Sequence, residues 1–375
     1  MDFAFTETQQ AIRGMFKKIF SELSTDDHLK SLDREGRWFH AEVWEALARG
    51  EMLGIAIPEA YGGAGLGLVE LCLLLHQAGR SVARIPALST LVMGALPIAE
   101  FGSEEQKRRF LPEVASGARM LTASLFDQGS AVATAPATRA VRDAGGWSLS
   151  GVRSAVPGLD QASHALIPAR TGEGTVGVFI VDLEAEGLSV NMQRLTNDEP
   201  VGQVVLEGVH VSGADVLGDP FGGSEVVAWM VQRATLGVCA LGLGVAEGAL
   251  FMTANYVGQR QQFGVSIGSF QAVSQRAGDA YIDVEAMKVS LWQAAWCLEQ
   301  GSERAARALA IAKFWASEGG HRVVAAAQHL HGGMGFDRDY PLHRYFLTAK
   351  RLEFTLGGAS THLAALGDMV AGEAG

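Results

Sequence analysis

The chain has 375 residues, of which 48% are hydrophobic and 19% charged, and these proportions predict a large buried core spread over two or three domains. A formal net charge of −11 argues against nucleic acids and anionic membranes as partners, because phosphate contacts require clustered Lys and Arg. The three cysteines lie far apart and form no CxxC pair, so neither a disulfide framework nor a zinc site is expected.

The N-terminal stretch has no basic segment followed by an apolar run, and it therefore predicts no signal peptide. No uninterrupted apolar stretch approaches the ~20 residues that span a bilayer. Together with the isolated cysteines, these features favour a cytoplasmic protein that has no membrane partner.

Residues 1–118 read as a helical domain. In "FTETQQAIRGMFKKIFSEL" the apolar residues recur at the spacing of one helical face, namely Ile12, Met15, Phe16 and Phe20. Thr6 or Thr8 can cap that helix. Two further helices are predicted in "AEVWEALARGEML", which we expect to end at Gly54, and in "LVELCLLLHQAGRSVA". A Ser-Glu-Glu capping pattern opens a fourth helix, which stops at Pro112 or slightly beyond.

Residues 119–222 have a different sequence pattern. Short alternating or β-branched stretches such as "GTVGVFIVDL" are separated by Gly and Asp clusters. This pattern predicts an antiparallel β domain. Residues 223–375 return to helical periodicity, with one long apolar helix followed by helices near 270–300, 303–330 and 341–370. The predicted fold class is α+β, in the order helical domain, β domain and four-helix bundle.

Two stretches of the helical bundle are candidates for a binding site. The first, "RQQFGVSIGSFQ", has a purely structural interpretation as a loop with Arg260 in solvent and three apolar side chains in the core, namely Phe263, Ile267 and Phe270. The second, "QHLHGGMGFDRDYPLHRYF", places three glycines beside a helix end, where backbone N–H groups suit an anion: Gly332, Gly333 and Gly335. Such a glycine cluster also fits a simple turn between helices.

Together, the two stretches resemble the acyl-CoA dehydrogenase family. The family pattern R-x-x-F-G-x-x-I-x-x-F-Q is matched throughout by Arg260, Phe263, Gly264, Ile267, Phe270 and Gln271. The pattern H-G-G-x-G-[FY]-x-x-[DE]-x-P-[LV]-x-R is matched at His331, Gly332, Gly333, Gly335, Phe336, Pro341 and Arg344. "MDFAFTETQQAIR" and "IPEAYGGAGLG" look like the family's opening helix and first substrate-side loop, so the resemblance covers the whole chain.

The resemblance implies a three-domain fold assembled as a dimer of dimers, with FAD at the subunit interfaces. In that family these stretches hold the ADP half of a neighbouring subunit's FAD, through residues that here are Arg260, Phe263, Gln271, Gly332 and Gly333. A guanidinium suits pyrophosphate because it forms charge-assisted hydrogen bonds. The family usually has Gln three residues before the glycine pair. Here that position is His329, with Gln328 beside it, and both residues stay candidates.

The reaction implied by the resemblance is α,β-dehydrogenation of an acyl-CoA thioester, in which a carboxylate removes the α proton and the flavin accepts the β hydride. The family carries its Glu at one of two positions, and these are Leu356 and Gln232 here. Neither side chain is a base near neutral pH. The residue after the second position, Arg233, is the first Arg of the long bundle helix and is expected to bind substrate.

The family's flavin-side motifs are also altered. The motif T-E-x-x-x-G-S-D corresponds to "TASLFDQGSAVA", where Thr122 is not followed by an acidic residue and only Gly129 and Ser130 are kept. The W-I-T-N strand, which packs on the flavin in the family, reads "SAVPG" at residues 154–158. Family drift is one explanation of these differences.

The elements that serve a neighbour's ADP moiety are therefore kept, while those for this chain's own flavin and proton transfer are lost. This split predicts a supporting subunit of a heterotetramer whose partner chain supplies the Glu, as in actinobacterial steroid-degrading acyl-CoA dehydrogenases, which "TLGGA" and "YPLHRYF" resemble. The electron acceptor that the family implies is an electron-transferring flavoprotein. Two alternatives stay open: a self-sufficient enzyme whose base has moved to Asp127, Glu225 or Asp337, and a non-catalytic binding protein on the same scaffold.

A metal site is not expected. Glu318 and His321 form an E-x-x-H pair at the spacing used by di-iron bundles. Such sites need a second pair and two further Glu, which the sequence does not offer.

Overall fold

A computed structural model of the protein describes residues 4–130 and 132–373. The first three residues of the quoted opening helix, Ala131 of "TASLFDQGSAVA" and the last two residues lie outside this description. The chain forms two compact units that interleave along the sequence. One consists of Met1–Arg37, Leu68–Arg84 and Thr235–Gly375, and the other of Trp38–Gly67 and Ile85–Ala234. The domain boundaries at residues 118 and 222 stay a prediction.

Helices occupy both ends of the chain. They are α1 Glu7–Leu23, α2 Asp26–Arg34, α3 Ala41–Arg49, α4 Leu68–Arg80, α5 Leu96–Phe101, α6 Glu104–Ala115, α7 Gly223–Gln259, α8 Gln271–Glu299, α9 Ala305–His331, α10 Leu342–Phe354 and α11 Ala359–Glu373. A π-helical stretch, Leu88–Ala95, runs directly into α5.

Strands fill the middle of the chain. They are β1 Leu121–Ala123, β2 Arg139–Asp143, β3 Gly146–Pro157, β4 His164–Gly172, β5 Thr175–Asp182, β6 Leu188–Arg194, β7 Pro200–Ser212 and β8 Val216–Leu217, followed by the short pair β9 Gln261–Gln262 and β10 Val265–Ser266. The first eight form one sheet in the order β6-β7-β3-β2-β4-β5-β8, with β1 paired to β4. Pairing along the sheet is antiparallel except where β1 and β2 meet β4.

Local chemistry explains where several helices start and stop. Thr6, rather than Thr8, caps α1 through a capping box with Gln9. The predicted end of α3 at Gly54 is wrong, because the amide of Gly50 already caps the helix at Arg49. Pro112 lies inside α6, which continues to Ala115.

Three features differ from the periodicity-based prediction. Helix α2, "DDHLKSLDR", was not predicted, because it buries only Leu29 and Leu32 on an otherwise polar surface. The stretch Leu88–Phe101 was also missed. The single helix expected near 341–370 is two helices, α10 and α11, separated at residues 355–358.

Helices α4 and α7 approach closely within the first unit. A Cβ added at Gly79 would lie 2.2 Å from the carbonyl oxygen of Leu241, and one at Gly244 would lie 2.0 Å from that of His76. Among the described residues, α7 alone is long and apolar enough to cross a membrane, but 72% of its most apolar window is buried within the chain. It is therefore placed as a core helix of a bundle.

Candidate functional site

The stretch between α7 and α8 is a small exposed hairpin. Strands β9 and β10 pair in antiparallel fashion, and the two turn residues, Phe263 and Gly264, have φ of 54° and 80°. Positive φ at both central positions is the signature of a tight hairpin turn. Phe263 is 93% exposed and its ring lies edge-on to that of Phe270, with ring centroids 6.2 Å apart. The interpretation that placed Phe263 and Phe270 in the core is wrong, since Phe270 is also 36% exposed.

Arg260 stands at the base of this hairpin. Its amide donates to the carbonyl of Tyr256 at 2.8 Å, and its own carbonyl accepts from the Ile267 amide at 2.8 Å. These bonds fix the backbone while the side chain is exposed. Gln271, the first residue of α8, is exposed as well. The hairpin therefore presents a cation and an aromatic ring to the surroundings.

The glycine cluster follows α9 directly. Gly332 has φ of 57° and its amide donates to the carbonyl of His329, so this N–H is used locally. A Cβ added at Gly332 or Gly333 would meet no atom within 4 Å. Gly335, by contrast, is buried, and a Cβ there would lie 2.6 Å from the carbonyl oxygen of Gln328. The first two glycines thus leave open space beside the backbone, whereas the third is required by packing.

The two candidates for the residue before the glycine pair differ in exposure. Gln328 is half-buried and packs against Gly335, while His329 is exposed. Both lie in the last turn of α9, within a few residues of the open glycine backbone. The geometry therefore leaves both residues as candidates.

Leu356 lies in the break between α10 and α11. Its φ of 58° is in the left-handed region, which a leucine adopts at a cost in free energy. The His362 imidazole donates from Nε2 to the Leu356 carbonyl at 2.9 Å. Burial lowers the pKa of His362, so the ring stays neutral near pH 7. No proton acceptor is present in the side chain at this position.

A buried lysine holds the end of α10 next to Leu356. The Lys313 ammonium has no exposed surface and donates to Ser317 Oγ at 2.7 Å, and to the carbonyls of Glu353 at 3.0 Å and Leu352 at 3.2 Å. A cation suits this place, because the last carbonyls of a helix lack intrahelical donors. Burial lowers the pKa of Lys313 to about 8. Sequence reasoning missed this residue, although a lone Lys within apolar "ALAIAKFWAS" was a signal.

Gln232 and Arg233 lie in α7, in the second compact unit. Arg233 donates from Nη1 to Gln232 Oε1 at 2.9 Å, and its guanidinium carbon lies 4.1 Å from the centre of the Trp229 ring. Burial lowers the pKa of Arg233 to about 10, so it remains a cation near pH 7. The Gln232 amide therefore orients the neighbouring guanidinium and offers no basic group.

Models of the acyl-CoA dehydrogenase N-terminal and C-terminal domains match residues 6–118 and 222–370. The acyl-CoA dehydrogenase FadE27 of Mycobacterium tuberculosis (strain ATCC 25618 / H37Rv) is 38% identical over 375 residues, which cover 98% of each chain. The chain belongs to the acyl-CoA dehydrogenase family. This family consists of oxidoreductases that act on CH–CH donors with FAD as cofactor, and the membership confirms the predicted fold class.

Solved acyl-CoA dehydrogenase complexes are also similar. A chain of the ChsE4–ChsE5 complex from Mycobacterium tuberculosis has a TM-score of 0.93 and 38% identity, covering 99% of both chains. A chain of the Tcur3481–Tcur3483 steroid acyl-CoA dehydrogenase, solved as a point variant, has a TM-score of 0.90 and 43% identity, covering 98% of this chain and 99% of that one.

The three acidic residues proposed as relocated bases have different surroundings. Asp127 accepts hydrogen bonds from the Arg153 guanidinium at 2.7 Å and from the Thr138 amide at 2.8 Å. Burial alone would raise the pKa of Asp127. The pKa is nevertheless lowered, because Asp127 accepts hydrogen bonds from Gly129 and Thr138 and lies beside the charge of Arg153. Glu225 and Asp337 are exposed. Asp127 is therefore a structural ion-pair partner and a poor proton acceptor.

The two stretches that correspond to the family's flavin-side motifs bind each other. The Thr122 side chain is fully buried and its hydroxyl donates to the Pro157 carbonyl at 2.6 Å. Arg153 is also fully buried and donates to the hydroxyl and carbonyl oxygens of Ser124 at 2.9 and 2.6 Å. Their polar groups are thus used within the β sheet unit. The Thr122 hydroxyl proton is therefore not available to a flavin.

The E-x-x-H pair has other partners. Glu318 accepts from Arg322 at 3.3 Å, and His321 lies 2.6 Å from the Lys350 ammonium, from which its Nδ1 accepts. Within residues 4–130 and 132–373, no three His, Cys, Asp or Glu side chains come together as a metal site.

Proposed function

We propose that this protein is the supporting subunit of a heterotetrameric, FAD-dependent acyl-CoA dehydrogenase of the cytoplasm. It contributes the ADP side of the FAD site to a second dehydrogenase subunit, which supplies the catalytic Glu. The observation that carries the proposal is a contrast within one chain. The hairpin at Arg260 and Phe263 is exposed and open, while Leu356, Gln232 and Asp127 provide no free base.

The residues of the hairpin and the glycine pair fit the diphosphate half of FAD. The exposed Arg260 guanidinium would form charge-assisted hydrogen bonds with the diphosphate. The open backbone at Gly332 and Gly333 lets a ligand approach more closely than any side chain would allow. Phe263 and Gln271 would contact the ADP moiety beside them, with Gln328 or His329 completing the site. When bound, FAD accepts the hydride that leaves the β carbon of the acyl group.

The relatives support a proposal for the substrate class. The Tcur3481–Tcur3483 complex is a steroid acyl-CoA dehydrogenase, so a steroid-derived acyl-CoA thioester is the proposed substrate of the assembled enzyme. The ChsE4–ChsE5 complex contains two different chains, which supports a heteromeric assembly here. Arg233, half-buried and stacked on Trp229, is the proposed substrate contact of this chain. The proposed electron acceptor is an electron-transferring flavoprotein.

The test compares the chain alone with the chain co-expressed with the dehydrogenase encoded beside it. We expect the single chain to purify without FAD and to leave added FAD unreduced by acyl-CoA thioesters. The co-purified complex should contain FAD, which bleaches anaerobically with its substrate. In that complex Arg260→Gln should release FAD, whereas Arg139→Gln, a change on the separate β sheet, should not.

The contrary result is equally clear. A yellow single chain that turns over acyl-CoA would overturn the proposal in favour of a self-sufficient enzyme. Replacement of Glu225 and Asp337 in that chain would then identify the base.

A further inference from the structure

Three aromatic residues that the proposed function does not use pack together behind the glycine pair: Tyr256, His331 and Tyr340. The His331 ring is 2% exposed and stacks on Tyr256, with ring centroids 4.3 Å apart and an interplanar angle of 23°. Its Nδ1 lies 2.8 Å from the Ala327 carbonyl and its Nε2 lies 3.2 Å from the Tyr340 hydroxyl. The group spans the end of α7, the end of α9 and the turn before α10.

These contacts select one form of the imidazole. A carbonyl oxygen only accepts, so Nδ1 carries the proton and Nε2 accepts from the Tyr340 hydroxyl. Burial lowers the pKa of His331, which keeps the ring neutral. Tyr256 also donates its hydroxyl to the His331 carbonyl at 3.4 Å. The rotation of the imidazole and the carbonyl that precedes Gly332 are both fixed by directional bonds.

Two of these residues, Tyr256 and His331, connect the two halves of the proposed ADP site, and Tyr340 holds the His331 ring. The Tyr256 carbonyl accepts the Arg260 amide at 2.8 Å, at the base of the hairpin. His331 is covalently followed by Gly332, whose backbone is open. One ring stack and two hydrogen bonds therefore link the arginine to the glycine pair. A core of aliphatic side chains would fill this volume without orienting either element.

We propose that Tyr256, His331 and Tyr340 are positioning residues that fix Arg260 and the backbone of Gly332 and Gly333 in place for a diphosphate. The inference rests on the proposed function and deepens it, because it names what determines the affinity for the diphosphate. None of the three side chains touches the ligand. They act through the position of the hairpin and of the glycine turn.

The test uses the assembled complex, stripped of FAD and titrated with FAD. His331→Asn keeps a donor for the Ala327 carbonyl and removes the acceptor for Tyr340, while Tyr340→Phe removes the other partner of the same bond. Tyr256→Phe keeps the ring stack and removes the bond to the His331 carbonyl. Each is expected to raise the Kd for FAD about tenfold, with kcat at saturating FAD unchanged. The double variant His331→Asn/Tyr340→Phe should bind FAD as tightly as the weaker-binding single variant, because both changes remove the same hydrogen bond.

Arg260→Gln distinguishes a failure of this inference from a failure of the proposed function. If it weakens FAD binding while the three positioning variants bind FAD as tightly as wild type, the inference is overturned and the proposed function stands. If Arg260→Gln leaves the Kd unchanged, both fail. The Tm of the FAD-free chain is the readout for a purely structural role. Variants that lower Tm but leave the Kd unchanged would also overturn the inference. Tyr340→Phe is the mildest change and serves where His331→Asn does not fold.

Discussion

Asp127 and Arg153 form a 2.7 Å ion pair in which the arginine side chain has no exposed surface and the aspartate side chain is 5% exposed. Removing one partner of a buried pair leaves the other charge uncompensated, at a cost of about 3–5 kcal/mol. We therefore expect Asp127→Asn to lower the free energy of unfolding of the chain by this order, measured by urea denaturation. Glu225→Gln, a change at an exposed position, is the matched control and should have almost no effect.

The same variant addresses the relocated base. If Asp127 were the catalytic base, Asp127→Asn would abolish reduction of FAD by substrate while the denaturation midpoint stayed at the wild-type value. That outcome would contradict the structural role assigned to the pair.

His331 predicts a loss of stability toward acid. Its folded-state pKa is lowered by burial from a usual value near 6.5, so the folded state binds fewer protons than the unfolded state. The stability is thus fully present above about pH 6.5 and falls as the pH drops below that value. The described side chains that stack on or contact the ring are those of Tyr256 and Tyr340.

Urea midpoints between pH 7.5 and pH 5 measure this effect. His331→Asn should weaken the pH dependence without abolishing it, because burial also lowers the pKa of His362. If the slope of the urea midpoint against pH is unchanged in the His331 variant, folding does not lower the pKa of the His331 ring.

At Leu356 we expect the usual order of stability, in which an alanine variant is more stable than a glycine variant, to be inverted. Both Leu356→Gly and Leu356→Ala remove the side chain, but only alanine keeps a Cβ at φ of 58°. The left-handed region costs a non-glycine residue about 1–2 kcal/mol, so the glycine variant should be at least as stable as the alanine variant. At Leu352, inside α10, the same pair should show the ordinary order, with alanine favoured by about 1 kcal/mol. A more stable alanine at position 356 would mean that the turn relaxes when the leucine is removed.

The sequence predicts most of the helical framework, because long apolar periodicities survive in the structure, as in α8 and α9. It misses α2, a nine-residue helix with two buried leucines, and it merges α10 with α11. The hydrogen bonds from Lys313 to the last carbonyls of α10 are tertiary contacts. Lys313 is 39 residues from Leu352 in the sequence, and no local sequence pattern indicates a contact over that separation.

The candidate site shows the same limit. The motifs locate Arg260 and the glycine pair. The apolar character of Phe263, however, predicts a buried side chain when no partner subunit is considered. Its exposure comes from the hairpin turn, which points the ring away from the helices of its own unit. Likewise, His331 appears in the motif only as a residue before the glycines. Its stacking on Tyr256 depends on two helices that end side by side.

Replacing Phe263 should weaken assembly of the two subunits without affecting the folding of the single chain. The ring is 93% exposed, so Phe263→Ala should change the free energy of unfolding of the single chain by no more than about 0.5 kcal/mol. In the proposed heterotetramer the ring would pack against the ADP moiety of the partner's FAD, where an aromatic anchor would contribute about 2 kcal/mol or more. The dissociation constant of the two subunits, measured by sedimentation with FAD present, should therefore rise at least about thirtyfold. Phe251→Ala, at a 59% exposed phenylalanine of α7, is the control for loss of surface area alone. Equal effects of the two variants on assembly would show that the hairpin has no special place in the interface.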